Sequence, residues 1–184
     1  MMVRGTDVRI MNMQTTANIV ENIGQIRKIR LPDGFVEGPR QENVEGDSSL
    51  RTFRRADDPD LRICFFYRGY GVNQPTAEQF CKTLESPPHI LSQEELARLV
   101  DLFGDKSNPQ VFSIAGARTE SVSGMPVLIL EGTYTPFAER NCTVHLDADG
   151  SGRFVQEIFF QAPVERYLTH FPLFSDSLMT IEWK

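Results

Sequence analysis

Along this chain the spacing of apolar residues switches between two and three-to-four, and each switch marks an element. Ile23, Ile26 and Ile29 predict a strand over residues 23–30, stopped by Leu31-Pro32-Asp33-Gly34. Residues 38–49 are polar and contain Pro39 and Gly46, which predicts an exposed loop. Strands over residues 50–54 and 61–68 follow, joined by a turn at Asp57-Asp58-Pro59-Asp60, where Asp bonds its own backbone and Pro presets φ. The second of these carries Ile63, Cys64, Phe65, Phe66 and Tyr67 in succession, apolar on both faces, as an interior strand requires.

The period then lengthens. Ala77, Phe80, Cys81 and Leu84 form one helical stripe, and Leu96, Leu99, Val100 and Phe103 form another. Thr76 with Gln79 and Ser92 with Glu95 have capping-box spacing. In that motif the hydroxyl accepts from the third helical amide, and the longer side chain reaches back to the cap's own amide. Pro87-Pro88 separates the two helices, and Gly104 is placed to end the second.

A period of two returns over residues 111–119 and 127–135, which flank a turn at Ser123-Gly124. It continues over residues 141–146 and 153–161, around Asp147-Ala148-Asp149-Gly150-Ser151-Gly152. Cys142, Val144 and Leu146 share one face, with Phe154, Ile158 and Phe160 on one parity of the partner. Facing residues of an antiparallel pair share a face, so the register sum must be even, which favours a three- or five-residue loop. Pro163 opens a helix bearing Val164, Tyr167, Leu168 and Phe171. Pro172 is expected to interrupt it before a turn with Phe174 and Leu178 and a final strand over residues 180–183.

Three strands, two helices, four strands and a terminal helix predict an α+β fold: a largely antiparallel β-sheet covered by helices, sandwich-like. Residues 1–22 show no firm periodicity and are set apart as an N-terminal arm, leaving residues 23–184 as a single domain. Over residues 124–183, Leu130-Glu131-Gly132-Thr133-Tyr134 starts a meander, and Phe160-Gln161-Ala162-Pro163 leads into Tyr167, Phe171, Phe174 and Ser177-Leu178. This pattern resembles the superfamily that includes the PsbP subunit of photosystem II, the small Ran-binding nuclear import factor and bacterial DcrB-like proteins. The resemblance implies a closing helix packed on the sheet, and a fold that serves as a platform for protein contacts. The polar loop over residues 38–49 and the second capped helix depart from it.

Composition narrows the class further. With 40% hydrophobic residues, 24% charged residues and 13 Phe, the chain can bury a core without staples. A formal charge of −6 works against general affinity for nucleic acid, where Lys and Arg must displace phosphate counterions. Cys64, Cys81 and Cys142 have no metal-like spacing, and their odd number points to a reducing, cytoplasmic setting. Arg4, Asp7 and Arg9 interrupt the apolar stretch that a signal peptide needs. The longest aliphatic run, Val127-Leu128-Ile129-Leu130, is too short for a membrane span, so no membrane association is expected.

Candidate chemistry is sparse. Asp147, Asp149, Ser151 and Gly152 imitate the start of a calcium loop, but the twelfth position is Ile158, with Glu157 one short, and the flanks read as strands. A solvated hairpin turn is the expectation there. His89, His145 and His170 have no partner at metal-ligand spacing and read as surface or core histidines. Ser121-Val122-Ser123-Gly124 lacks the first glycine of a nucleophile elbow, and Gly69-Tyr70-Gly71 lacks the third glycine of a dinucleotide fingerprint. Nothing in the sequence asks for a cofactor or a metal, and no catalytic residues are assigned.

The distinctive stretch is residues 68–75, where a buried strand ends and a capped helix begins. A short loop pinned between rigid elements can present a binding edge, here Arg68, Tyr70, Asn73 and Gln74. Alternatively, this is a glycine-rich turn whose tyrosine caps the core. The resulting expectation is a non-enzymatic binding or adaptor domain that engages a protein partner. The alternatives are a small enzyme or ligand-binding protein with a pocket assembled from residues distant in sequence, and a structural subunit of a homo-oligomer. A deep pocket with converging polar groups would favour the former, a flat apolar patch a partner surface.

Overall fold

The computed structural model describes residues 18–42 and 48–184. Its first element falls within the stretch set apart as an arm. β1 (Asn18–Ile23) pairs antiparallel with β2 (Ile26–Leu31), with Ile23 opposite Ile26. The expected single strand over residues 23–30 is therefore two, folded at Gly24-Gln25; Asn22 and Gly24 take φ of 57° and 52°, a left-handed geometry open to Asn and Gly. Residues 1–17 of the arm lie outside the described residues.

β3 (Phe35–Glu37) and β4 (Gln41–Glu42) both pair with β5 (Ser49–Arg55), so part of the expected polar loop is short edge strand. β6 is Asp58–Tyr67, and the turn before it is Ala56-Asp57, not the whole acidic run. Asp58 and Asp60 instead receive the Arg166 guanidinium at 2.5 and 3.0 Å. This corner tolerates Pro59, because β10 pairs with β6 only from Arg62 onward.

α1 (Gln74–Glu85) is capped by Asn73, whose side-chain oxygen accepts from Thr76 N at 2.9 Å, with Pro75 in the first turn. Thr76, the expected cap, is already inside the helix, because a proline that needs no amide partner suits the turn before it. α2 (Gln93–Arg98) starts as expected: Glu95 N donates to Ser92 Oγ at 3.3 Å, and Ser92 N donates to Glu95 Oε2 at 2.8 Å. The helical path breaks at Leu99, resumes as α3 (Val100–Phe103) and turns off at Gly104, with φ of 57°.

The meander β7 (Phe112–Val122), β8 (Met125–Tyr134), β9 (Glu139–Asp147) and β10 (Val155–Pro163) matches the predicted order. Ser123 and Gly124, with φ of 48° and 86°, close the first hairpin. In β9–β10, Val144 faces Ile158 and Asp147 faces Val155, an even register sum. Ala148 N also donates to Phe154 O, which leaves five residues in the loop. α4 (Val164–Leu178) runs through Pro172 without a break. The carbonyl that this proline cannot bond belongs to Leu168, a residue 72% exposed on the solvent side of the helix. Leu168 therefore lies off the core stripe, which is Tyr167, Phe171, Phe174 and Leu178. β11 is Glu182–Trp183.

The larger sheet has the order β3-β5-β6-β10-β9-β8-β7, antiparallel throughout, with β4 extending its first edge; β1, β2 and β11 form a second sheet. Both faces of the larger sheet are covered. Ile63, Phe65, Ile129, Val144, Ile158 and Phe160 meet the small sheet and α4. On the other face Leu128, Leu130, Val155 and Phe112 meet Phe80, Leu99, Leu102 and Phe103 of the α1–α3 layer. The run Val127-Leu128-Ile129-Leu130 is apolar throughout because its alternate residues enter different cores.

Candidate functional site

Arg68 follows β6 directly, on the face covered by α1–α3, and only 6% of it is exposed. Its Nε and Nη2 donate to Oε1 of Glu157 on β10 at 2.9 and 2.6 Å. Nη1 donates to the Asp101 carbonyl at 3.2 Å, and Nη2 also to the Leu102 carbonyl. Glu157 Oε2 accepts from Lys106 Nζ at 3.1 Å, and that ammonium lies 5.6 Å from the centre of the Phe159 ring. Lys106 comes from the 3-10 turn over Gly104–Ser107, so residues distant in sequence meet here.

Directly across from Glu157 on β9 is His145, fully buried and in edge contact with Phe103 at 5.8 Å. Neither ring nitrogen has a partner. Burial pushes the imidazole pKa down to about 3, so it is neutral at physiological pH. For Glu157, burial alone would raise the pKa, but Lys106 and Arg68 overcome it and hold the carboxyl down at about 2. A carboxylate clamped in this way stays ionised and exchanges no proton near pH 7, which makes it a poor general acid or base. Outside the cluster is a cleft of about 410 Å³, walled by Leu50, Phe66, Tyr70, Phe103, Tyr134 and Phe159.

Of the four residues expected to form one binding edge, Arg68 and Tyr70 line one cleft, and Asn73 and Gln74 stand at the start of α1. Arg68 is not displayed; it is inside the ion cluster, because a guanidinium at the end of a doubly covered strand must be paired to be buried. Asn73 is occupied as the α1 cap, and its own amide donates to Asp101 Oδ2 at 2.7 Å. Gln74 points to Glu78 on the outer face of α1 at 2.9 Å. Tyr70 is exposed, as Asn73 and Gln74 are, but of these three it is the one that lines the cleft, with 58% of its surface in solvent. The sequence singles out neither Lys106 nor the role of Glu157, which it offers only as a misplaced calcium ligand, while His145 is a core histidine, one of its two expected settings. The available signal was parity: Glu157 and His145 sit at positions that alternate with core residues on doubly apolar strands, where a charge needs a partner.

A second feature lies at the sheet's far edge. Residues 89–91 cover part of β7: Leu91 N donates to Ala117 O, and Thr119 N to His89 O, both at 2.9 Å. No described strand pairs with the outer side of Phe112–Gly116, and a bulge sits between Ile114 and Gly116. Alongside runs a groove of about 510 Å³ whose walls include Ile90, Leu96, Val100, Phe103 and Ile114. Ile90 is 80% exposed, Val100 49% and Ile114 37%.

The remaining candidates are structural. Asp147 accepts from the amides of Asp149, Gly150 and Gly152, and Asp149 accepts from Ser151, so the carboxylates fold the hairpin loop. Among the described residues no three His, Cys, Asp or Glu side chains converge as metal ligands. Cys64 and Cys142 are buried on opposite faces of the sheet, and burial raises both thiol pKa values. No helix among the described residues is long and apolar enough to cross a membrane.

No protein-family model matches the sequence, and no curated protein matches it. Solved structures do. Cyanobacterial PsbP (CyanoP) from Synechocystis sp. is similar with a TM-score of 0.58 and 10% identity, over 99% of this chain and 98% of that one. PA94, a Pseudomonas aeruginosa protein of unknown function, is similar at 0.45 and 11% identity, over 85% and 91% of the two chains. LpqN of Mycobacterium tuberculosis, involved in cell envelope biogenesis, is similar at 0.41 and 13% identity, over 92% and 87%. The chain has a PsbP-like α+β fold.

Proposed function

We propose that this chain is a non-enzymatic binding domain whose protein partner docks as an extended segment in the groove beside β7. The observation that carries this reading is the stretch Ser113–Gly116, paired by no described strand on its outer side, next to exposed Ile90, Val100 and Ile114. An uncovered strand edge offers backbone donors and acceptors to another extended chain, and the flanking apolar wall supplies specificity for its side chains. Residues 89–91 already use this mode at the neighbouring part of the same edge. The locked state of Glu157 supports a non-enzymatic reading. A reducing, cytoplasmic compartment is part of the proposal, supported by thiols placed where Cys64 and Cys142 cannot reach each other.

The test is affinity capture with the wild type and with Ile90→Glu and Ile114→Lys, followed by rebinding of the captured protein in purified form. Both substitutions are on the surface, so thermal stability should change little. Purified-partner affinity should fall by about tenfold or more in each variant. Equal affinity in all three proteins would place the interface elsewhere. Sedimentation that shows a wild-type dimer dissociated by Ile90→Glu would identify the occupant of the groove as a second copy.

A further inference from the structure

We propose that the cleft above Arg68, Lys106 and Glu157 is a binding site for a small monoanionic ligand with an apolar body, whose carboxylate is received by the Lys106 ammonium. The argument begins with charge. Two cations and one carboxylate are buried together, with Arg68 and Lys106 each 6% exposed and Glu157 3%. The neighbouring His145 ring is neutral and adds nothing. One positive charge is therefore left over among the three buried groups, and burial makes an uncompensated ion costly.

The excess resides on Lys106. Arg68 uses all three of its nitrogens, and four of its five N–H donors, on Glu157 and on the carbonyls of Asp101 and Leu102. Lys106 Nζ carries three N–H groups, and among the described residues one acceptor, Glu157 Oε2, receives from it. The Phe159 ring offers its face but no lone pair. Lys106 forms part of the wall of the cleft, so an incoming carboxylate would take up its free donors without any rearrangement of the Arg68–Glu157 pair.

Shape and rim set the ligand's class. The cleft measures about 410 Å³, within the ordinary range for small-molecule sites, and Leu50, Phe66, Phe103, Tyr134 and Phe159 suit a hydrocarbon or aromatic body. Asp105 is exposed at the same opening. Its charge is screened by water, but it still disfavours a dianion more than a monoanion. Inorganic phosphate is thus a poor fit and an apolar carboxylate a good one. The cleft and the groove beside β7 meet only at Phe103, so failure of either site leaves the other intact.

Octanoate, 1-octanol and inorganic phosphate serve as probes in calorimetric and NMR titrations of the full chain. Octanoate should bind and shift the resonances of Phe66, Tyr70 and Phe159. Octanol and phosphate should each bind weaker by about tenfold or more, the loss expected when one charge-assisted contact or the apolar contact is missing. Lys106→Met should lose the preference for octanoate over octanol, and Lys106→Arg should keep it. Ile90→Glu should bind octanoate as the wild type does. Denaturation curves for the Lys106 variants check that the fold persists, and Arg68 remains to pair Glu157 in both. The proposal is overturned if octanoate fails to bind at millimolar concentration, if octanol binds equally well, or if Lys106→Met leaves the preference unchanged. Wild-type shifts confined to residues away from the cleft would overturn it too.

Discussion

His145 shows how much depends on where a single side chain is placed. Its imidazole lies between Phe103 and Glu157 with no exposed atom, and burial depresses its pKa from 6.5 to about 3. In the unfolded chain the ring takes up a proton below its ordinary pKa, whereas in the folded chain it does not. Stability from this group is therefore fully present above the unfolded value and is lost as pH falls from 6.5 towards 3. Glu157 acts in the same direction over a lower window, because its ionised form is favoured by the fold down to about 2. His145→Phe should reduce the pH slope of the unfolding free energy by about one proton between those two limits. Chemical denaturation of both proteins at several pH values measures it. Parallel wild-type and variant curves would show that the imidazole titrates normally.

At the level of elements, helix starts rest on local chemistry and helix continuity on solvent access. Ser92 and Glu95 satisfy each other's amides, and Asn73 does the same job for α1 with an Asp101 carboxylate behind it. Ser92→Ala and Asn73→Ala should each lower stability by about 1 kcal/mol, the usual value of an N-cap. Thr76→Ser should cost less than Asn73→Ala, since Thr76 is not the cap. Denaturant midpoints compare the three; an Asn73→Ala midpoint equal to the wild type would return the cap to Thr76. Proline is the opposite case. Pro172 looks like a helix stop in sequence, yet α4 passes through it, and the residue whose carbonyl it orphans, Leu168, is on the exposed side of the helix, away from the core.

For the whole molecule, the decisive contact is between the large sheet and its C-terminal cover. Phe160 on β10 lies 5.5 Å from the Tyr167 ring and 5.7 Å from Phe174, with Phe171 at 6.5 Å. This aromatic group ties α4 to the centre of the sheet, beside Ile158 and Ala162 of the same strand. Phe160→Ala should cost about 3–5 kcal/mol, the range for a buried aromatic truncated to alanine. The variant's denaturation midpoint should fall far more than that of Leu168→Ala, whose side chain is in water on the same helix. Similar losses for the two would mean that α4 is not anchored through this group.

Period, parity and cap chemistry were enough to determine the α+β class, the β7–β10 meander, the Ser92 cap and the even β9–β10 register, because each depends on residues close in sequence or on side-chain alternation. The Gly24-Gln25 hairpin and the start of α1 were displaced by local details that compete on nearly equal terms: positive φ at Asn22 and Gly24, and Asn73 against Thr76 as cap. Only the tertiary structure decided the site. Arg68, Lys106 and Glu157 come from a strand end, a 3-10 turn and another strand, and a charge on a strand carries no record of which distant charge will face it. Whether Arg68 is displayed or clamped depends on the layer that covers its strand, and that layer is set by packing across the whole sheet.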